Sequence, residues 1–106
     1  MPEEGSFSDS VWFETADPEH IQREKRKAQE LRHSQWWKNR RACNRCHYCD
    51  REFPARELTM DHVVPISRGG RTTKSNVVPC CKECNTQKKY LLPVEWEAYL
   101  QRLKQT

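Results

Sequence analysis

Apolar positions are distributed along the chain in three distinct ways. In "DPEHIQREKRKAQELRHSQWWKNRRA", residues 17–42, they are sparse: Ile21, Ala28, Leu31 and the Trp36–Trp37 pair make one narrow stripe on a polar surface. That spacing predicts a single long helix, with Asp17 as N-cap and Pro18 in the first turn, where a missing N–H costs nothing. A stripe so thin does not predict a buried helix. It suits an arm that lies across a surface, binds nucleic acid with its basic side, or pairs with its own copy. From Cys43 to Tyr90 the apolar residues come in short runs broken by turn formers. "ELTMDHVV" predicts a strand ending near Val64 and stopped by Pro65. "SRGGRTTKSN" predicts a loop in which Gly69–Gly70 supply positive-φ freedom, "NVVPC" a second strand, and "CKECNTQKKY" a helix beginning near Cys81. In "PVEWEAYLQRL" the residues Trp96, Tyr99, Leu100 and Leu103 recur at i, i+3, i+4 and i+7, which predicts a helix from Pro93 with that face in the core. Residues 1–16 read as a flexible lead with Val11, Trp12 and Phe13 as its apolar patch. The expected organisation is therefore a lead (1–16), a basic helical arm (17–42) and a compact domain (43–106).

Composition sharpens the picture. The chain has 106 residues, of which 35% are apolar and 32% charged. A single domain of this kind has difficulty burying enough surface to offset the entropy of folding without help. Six cysteines offer that help. The N-terminus "MPEEGSFSDS" lacks the basic start and apolar centre of a signal peptide, and no stretch is long or apolar enough to span a membrane. A cytoplasmic chain keeps its thiols reduced, and paired CxxC spacing then indicates metal ligation, not disulfides. A structural zinc supplies on the order of 10–16 kcal/mol of apparent folding free energy in small peptides.

Charge adds a partner. The formal net charge is +4, but residues 18–41 hold eight basic side chains (Arg23, Lys25, Arg26, Lys27, Arg32, Lys38, Arg40, Arg41) against three acids (Glu19, Glu24, Glu30), a local +5. Such a face favours a polyanion, most simply nucleic acid, although a solvated helix surface explains the same feature taken alone.

Cys46-His-Tyr-Cys49 and Cys81-Lys-Glu-Cys84 are two CxxC units, each able to present two sulfurs to one tetrahedral zinc. Four thiolates leave no open position, so the ion is structural. Cys43-Asn-Arg-Cys46 is also CxxC. We prefer Cys46 and Cys49 because Asp50 and Phe53 then follow as a knuckle turn with an apolar plug, leaving Cys43 and Cys80 as spare thiols. The 31 residues between Cys49 and Cys81 exceed the spacer of an ordinary four-cysteine finger, so a folded element is inserted between the two halves. It contains "MDHVVPISRGG".

CxxC, then Asp61-His62, Pro65 and Gly69–Gly70, then Asn76 before an apolar strand, then CxxC followed by Asn85 and Lys88, resembles the HNH endonucleases, also called ββα-metal or His-Me finger nucleases. The likeness covers roughly residues 43–90, and the combination is more specific than any one motif. It implies an α+β fold: a small ββα-metal core with a structural four-cysteine zinc site, flanked by a long N-terminal and a short C-terminal helix. It also implies Asp61 as a metal ligand, His62 as general base, and Asn76 as the residue that tethers the hairpin loop or orients the histidine ring. The final letter of the name falls on Asn85 as the second ligand, so the chain reads H-N-N. Lys88 and Lys89 would contact phosphate, with Arg40 and Arg41 as further nucleic-acid contacts.

The chemistry agrees with those roles. Phosphodiester hydrolysis needs a deprotonated water and a cation to hold the charge that builds on the phosphate. An imidazole with an ordinary pKa near 6.5 suits the first task, and carboxylate and amide oxygens select Mg²⁺ or Mn²⁺ for the second. One difficulty is geometric: neighbours on a regular strand face opposite sides, so Asp61 and His62 share a site only where the strand bends or ends. The expected function is a metal-dependent DNA endonuclease, bacterial or phage-encoded, that nicks once per active site. The alternative is a zinc-stabilised DNA-binding module without the chemistry. A redox role is weak, because no thioredoxin-like βαβ pattern accompanies the cysteines. The Trp36–Trp37 patch and the thin stripe make a homodimer a reasonable expectation.

Overall fold

The computed structural model describes residues 15–104; the apolar patch at 11–13 lies outside them. Helix α1 runs Pro18–Arg32 and α2 Gln35–Arg41; strands β1 (Thr59–His62) and β2 (Val77–Cys80) pair antiparallel; α3 covers Lys82–Lys88 and α4 Pro93–Lys104. This is the expected α+β class, with β1, β2 and α3 as the ββα unit. No helix among the described residues is long and apolar enough to cross a membrane.

The arm is two helices, not one. Asp17 caps α1 as expected, accepting from the Glu19 N–H at 3.1 Å. The break falls at His33–Ser34, where one hydroxyl serves both ends. Ser34 Oγ donates to the Leu31 carbonyl at 2.6 Å and accepts from the Trp37 N–H at 3.1 Å. A serine side chain that competes for backbone groups in this way closes one helix and opens the next. The redirection drives Trp37 into a core cluster with Ala28, Met60 and Val77, with Trp36 and Leu31 packed against it. Trp37 is therefore interior, and Trp36 packs half-buried against the same cluster.

A second cluster gathers Cys46, Leu58, Cys80, Cys81 and Cys84, with Tyr48, Cys49 and Phe53 packed against them. Phe53 is the plug behind the knuckle, and Asp50 takes the positive φ (62°) of its turn. The hairpin separates the two clusters. Pairing sets Met60 against Pro79 and His62 against Val77, so Met60 and His62 share the face covered by α1 and α2. Thr59 and Asp61 point the other way, toward α3.

Gly70 allows the loop after β1 to fold back on itself: a Cβ there would lie 1.8 Å from the Val64 carbonyl oxygen. Gly69, at φ 93°, takes the left-handed conformation that ends the turn before it. On α4, Trp96 is buried and stands edge-on to Tyr48 at 5.6 Å, whereas Leu103 is half exposed. The C-terminal face is thus core only over its first half.

Candidate functional site

The four chosen cysteines converge. Cys46, Cys49, Cys81 and Cys84 hold their sulfurs within 4.8 Å of one another and can bind a metal ion. The surroundings suit thiolates. Cys46 Sγ accepts from the N–H groups of Tyr48 and Cys81, each at 3.4 Å. Cys81 Sγ accepts from the Cys84 N–H at 3.4 Å, and Cys49 Sγ from Arg51 Nε at 3.2 Å. Burial would push the Cys49 thiol up, but its hydrogen bonds from Arg51 bring it down to about 7. Burial pushes the Cys81 and Cys84 thiols up, so a bound cation is what would keep them ionised. Cys43 is exposed and bonds the Arg45 carbonyl, and buried Cys80 bonds the Cys81 carbonyl. Neither belongs to the four-sulfur group.

The clamp fixes the hairpin that carries Asp61 and His62. The His47 N–H donates to the Pro79 carbonyl at 2.9 Å, joining the knuckle to β2. Asn76 is the loop tether. Its Oδ1 accepts from the Val64 N–H at 2.9 Å, and its Nδ2 donates to the carbonyls of Val64 (3.1 Å) and Arg71 (2.8 Å). All three bonds go to backbone, so Asn76 shapes the segment after β1 without touching the imidazole.

His62 is the last residue of β1, half-buried, with Nε2 at 2.9 Å from the Thr72 hydroxyl. That hydroxyl has one hydrogen, which goes to the Glu24 carbonyl at 2.9 Å. Thr72 Oγ1 can only accept from the ring, so Nε2 carries the proton and Nδ1 keeps its lone pair. Burial lowers the His62 pKa and favours that neutral form; Asp61 opposes the shift.

Asp61 lies on the other face. Its Oδ2 accepts from Tyr48 Oη at 2.8 Å and pairs with Lys88 Nζ at 3.2 Å. Burial, with the neighbouring carboxylate, pushes Tyr48 far up and keeps it a donor. Lys88 is fully buried, and its ammonium also donates to the His62 carbonyl at 3.2 Å. This corrects the expectation of a phosphate contact at Lys88: both its charge and its hydrogens are taken up inside the fold. Lys89 is exposed, and Arg40 and Arg41 sit half-buried in the last turn of α2.

Asn85 donates through Nδ2 to Thr59 Oγ1 at 3.1 Å, while Thr59 passes its own hydrogen to the Cys80 carbonyl. That chain fixes the amide with its oxygen turned away from Thr59. Among the described residues, neither this oxygen nor Asp61 Oδ1 accepts a hydrogen bond. Two hard oxygen donors on one face of the hairpin, one anionic, suit Mg²⁺ or Mn²⁺, which commonly take one or two protein oxygens and complete their shell with water and phosphate. The structure does not bring the imidazole onto that face: Asp61 meets Tyr48 and Lys88, and His62 meets Thr72 on the other. A cavity of about 810 Å³ opens beside α3, lined by Phe53, Arg56, Glu57, Thr59, Lys82 and Thr86 among others, but none of Asp61, His62, Asn76 or Asn85 lines it.

Tyr48, Thr72 and Glu24 are site residues that motif spacing does not reveal. Lys88 left a signal: with Cys81 and Cys84 it falls at i, i+3 and i+7, the buried face of α3.

Residues 46–97 match the model of a protein family described as HNH endonuclease. No curated protein matches the chain.

Proposed function

The chain carries an HNH endonuclease domain in residues 46–97, and from that premise we propose that it is a metal-dependent endonuclease hydrolysing phosphodiester bonds of DNA. The observation that carries the reading is the 2.9 Å contact of His62 Nε2 with a Thr72 hydroxyl whose hydrogen already goes to the Glu24 carbonyl; from it we infer the Nε2–H tautomer, with Nδ1 as the free base. Nδ1 takes a proton from the attacking water, and the ring is kept neutral and ready for it by burial. Asp61 and Asn85 would hold the divalent cation, Mg²⁺ or Mn²⁺, which when bound stabilises charge developing on the phosphate. Tyr48 and Lys88 fix the carboxylate through one oxygen and leave the other for that role. Cys46, Cys49, Cys81 and Cys84 hold a structural zinc. Lys89, Arg40, Arg41 and the basic outer side of α1 meet the phosphate backbone. One site per chain cuts one strand, so the product is a nick.

A second reading has its own support. Asp61 and His62 sit on opposite faces, and Lys88 already balances the Asp61 charge. A zinc-stabilised DNA-binding module without chemistry would tolerate both. Supercoiled plasmid incubated with zinc-loaded protein and Mg²⁺ or Mn²⁺ separates the two. Conversion to open circle by the wild type and not by His62→Ala supports the nuclease. Equal cutting by both refutes the assigned base, and DNA retention without cutting under any divalent metal selects the binding module.

A further inference from the structure

The domain match begins at Cys46, yet the imidazole at the end of β1 is held from a helix that precedes it. The inward face of α1 is partly polar. His20, Glu24 and Ala28 follow at four-residue steps. His20 Nε2 lies 2.9 Å from the Gly70 carbonyl, Glu24 binds Thr72, and Ala28 enters the core. Just before the helix, the Ala16 N–H donates to the Ser67 carbonyl at 2.7 Å. The loop between β1 and β2 is thereby fastened to the arm at three successive points.

Glu24 is the telling one. It is 2% exposed on a helix whose sequence would otherwise place it in water. Its Oε1 accepts from the Thr72 N–H at 2.7 Å, and its own carbonyl accepts the Thr72 hydroxyl hydrogen. Lys27 Nζ at 3.4 Å and Arg23 Nε at 3.8 Å from Oε2 balance its charge. Burying a carboxylate is unfavourable unless it is fully partnered, and an alanine or leucine would dock the helix more simply. The double attachment instead fixes both the backbone and the hydroxyl rotor of the residue that touches His62.

We propose that α1 is a positioning element for the reactive imidazole: Glu24 orients Thr72, and Thr72 locks His62 as the Nε2–H tautomer with Nδ1 toward substrate. The proposal rests on His62 as the base. Thr72 and Glu24 are positioning residues and touch no substrate.

The test uses the 106-residue, zinc-loaded chain, ¹⁵N-labelled, with His62→Ala to assign its ring among the four histidines. Ring nitrogen shifts distinguish the two neutral tautomers without any cleavage. Wild type and Thr72→Ser, which keeps the hydroxyl, should show Nε2–H. Thr72→Val, isosteric but without an acceptor, should show a mixture or Nδ1–H. In the plasmid assay Thr72→Val should lose roughly 10–100-fold in kcat at unchanged KM, with Thr72→Ser close to wild type. A folded Thr72→Val with the wild-type tautomer and rate overturns the proposal, even where His62→Ala abolishes cutting and the base assignment stands. If His62→Ala cuts normally, the base assignment falls instead, and the ring spectrum still decides whether Thr72 sets the tautomer. Should Thr72→Val fail to fold, Glu24→Leu, which keeps the main-chain carbonyl that takes the hydroxyl hydrogen but removes the carboxylate that holds the Thr72 N–H, must move the tautomer or kcat; no change in either overturns the proposal.

Discussion

Replacing Lys88 by methionine should destabilise the zinc-loaded protein by about 3 kcal/mol, the lower end of the range for breaking a buried ion pair. Lys88 and Asp61 lie 3.2 Å apart, with side chains 1% and 9% exposed. At an effective dielectric constant of about 20, unit charges at that distance attract by roughly 5 kcal/mol. Desolvation of both ions offsets much of this, so the intact pair adds little net stability. The single replacement is different, because Asp61 stays buried with the Tyr48 hydroxyl as its remaining donor. Methionine keeps an unbranched stem beside the Tyr48 ring, which limits the packing loss and argues for the lower figure. Against a total stability of roughly 5–15 kcal/mol, the change is easily measured. Urea unfolding at saturating zinc would compare wild type, Lys88→Met, Asp61→Asn and the double variant. The double variant removes both charges and should recover about 2 kcal/mol relative to additive losses. A Lys88→Met loss below about 1 kcal/mol, the value of an exposed pair, would refute the claim that Lys88 is internal and return it to the surface as a phosphate contact.

Acid should act partly through Glu24. Its bond from the Thr72 N–H, aided by Lys27 and opposed by burial, holds its pKa below the ordinary 4.5. Between those two values the unfolded chain binds the proton first, so the stabilisation is complete above pH 4.5 and is lost as pH falls through the folded pKa. Urea midpoints across that interval should fall less steeply for Glu24→Gln than for wild type; parallel curves would count against it. Stripping zinc with a strong chelator, or Cys84→Ser, should abolish cooperative unfolding, because an ion contributing on the order of 10 kcal/mol exceeds what two small clusters supply. Metal analysis should give one zinc per chain, and a chelated protein with an unchanged melting curve would remove the structural role. Asn76→Ala should cost about 2 kcal/mol, from three partly exposed hydrogen bonds to the Val64 and Arg71 backbone, each worth about 0.5–1.5 kcal/mol. A loss confined to kcat, with no change in stability, would instead mean that Asn76 acts on the ring.

What was legible in the chain follows from the range of the interaction concerned. The CxxC pairs were readable because two sulfurs three residues apart must share an ion or a turn, and Phe53 as the plug discriminated Cys49 from Cys43. The strands and α3 were readable from Pro65, the glycine pair and the cap at Cys81. The break between α1 and α2 was written locally as well, in a serine three residues before Trp37, but a search for one continuous apolar stripe passes over it. Glu24 was beyond reach: its partner Thr72 is 48 residues away, and a glutamate on a basic helix looks like solvent-facing charge until the loop arrives. Lys88 was concealed by residue type, since its position on the face of Cys81 and Cys84 already placed it inside. In both cases a charged side chain is buried because a distant segment supplies its counter-charge or its hydrogen bond. Those two burials attach the opposite faces of one short hairpin, α1 to the His62 side and α3 to the Asp61 side. The ends of a four-residue strand pair, too small to be rigid alone, are thus fixed by a buried charged side chain from each direction, through a hydrogen bond at Thr72 and an ion pair at Asp61. For that reason, losing either Glu24 or Lys88 should disturb the reactive pair more than losing any exposed basic residue of the arm.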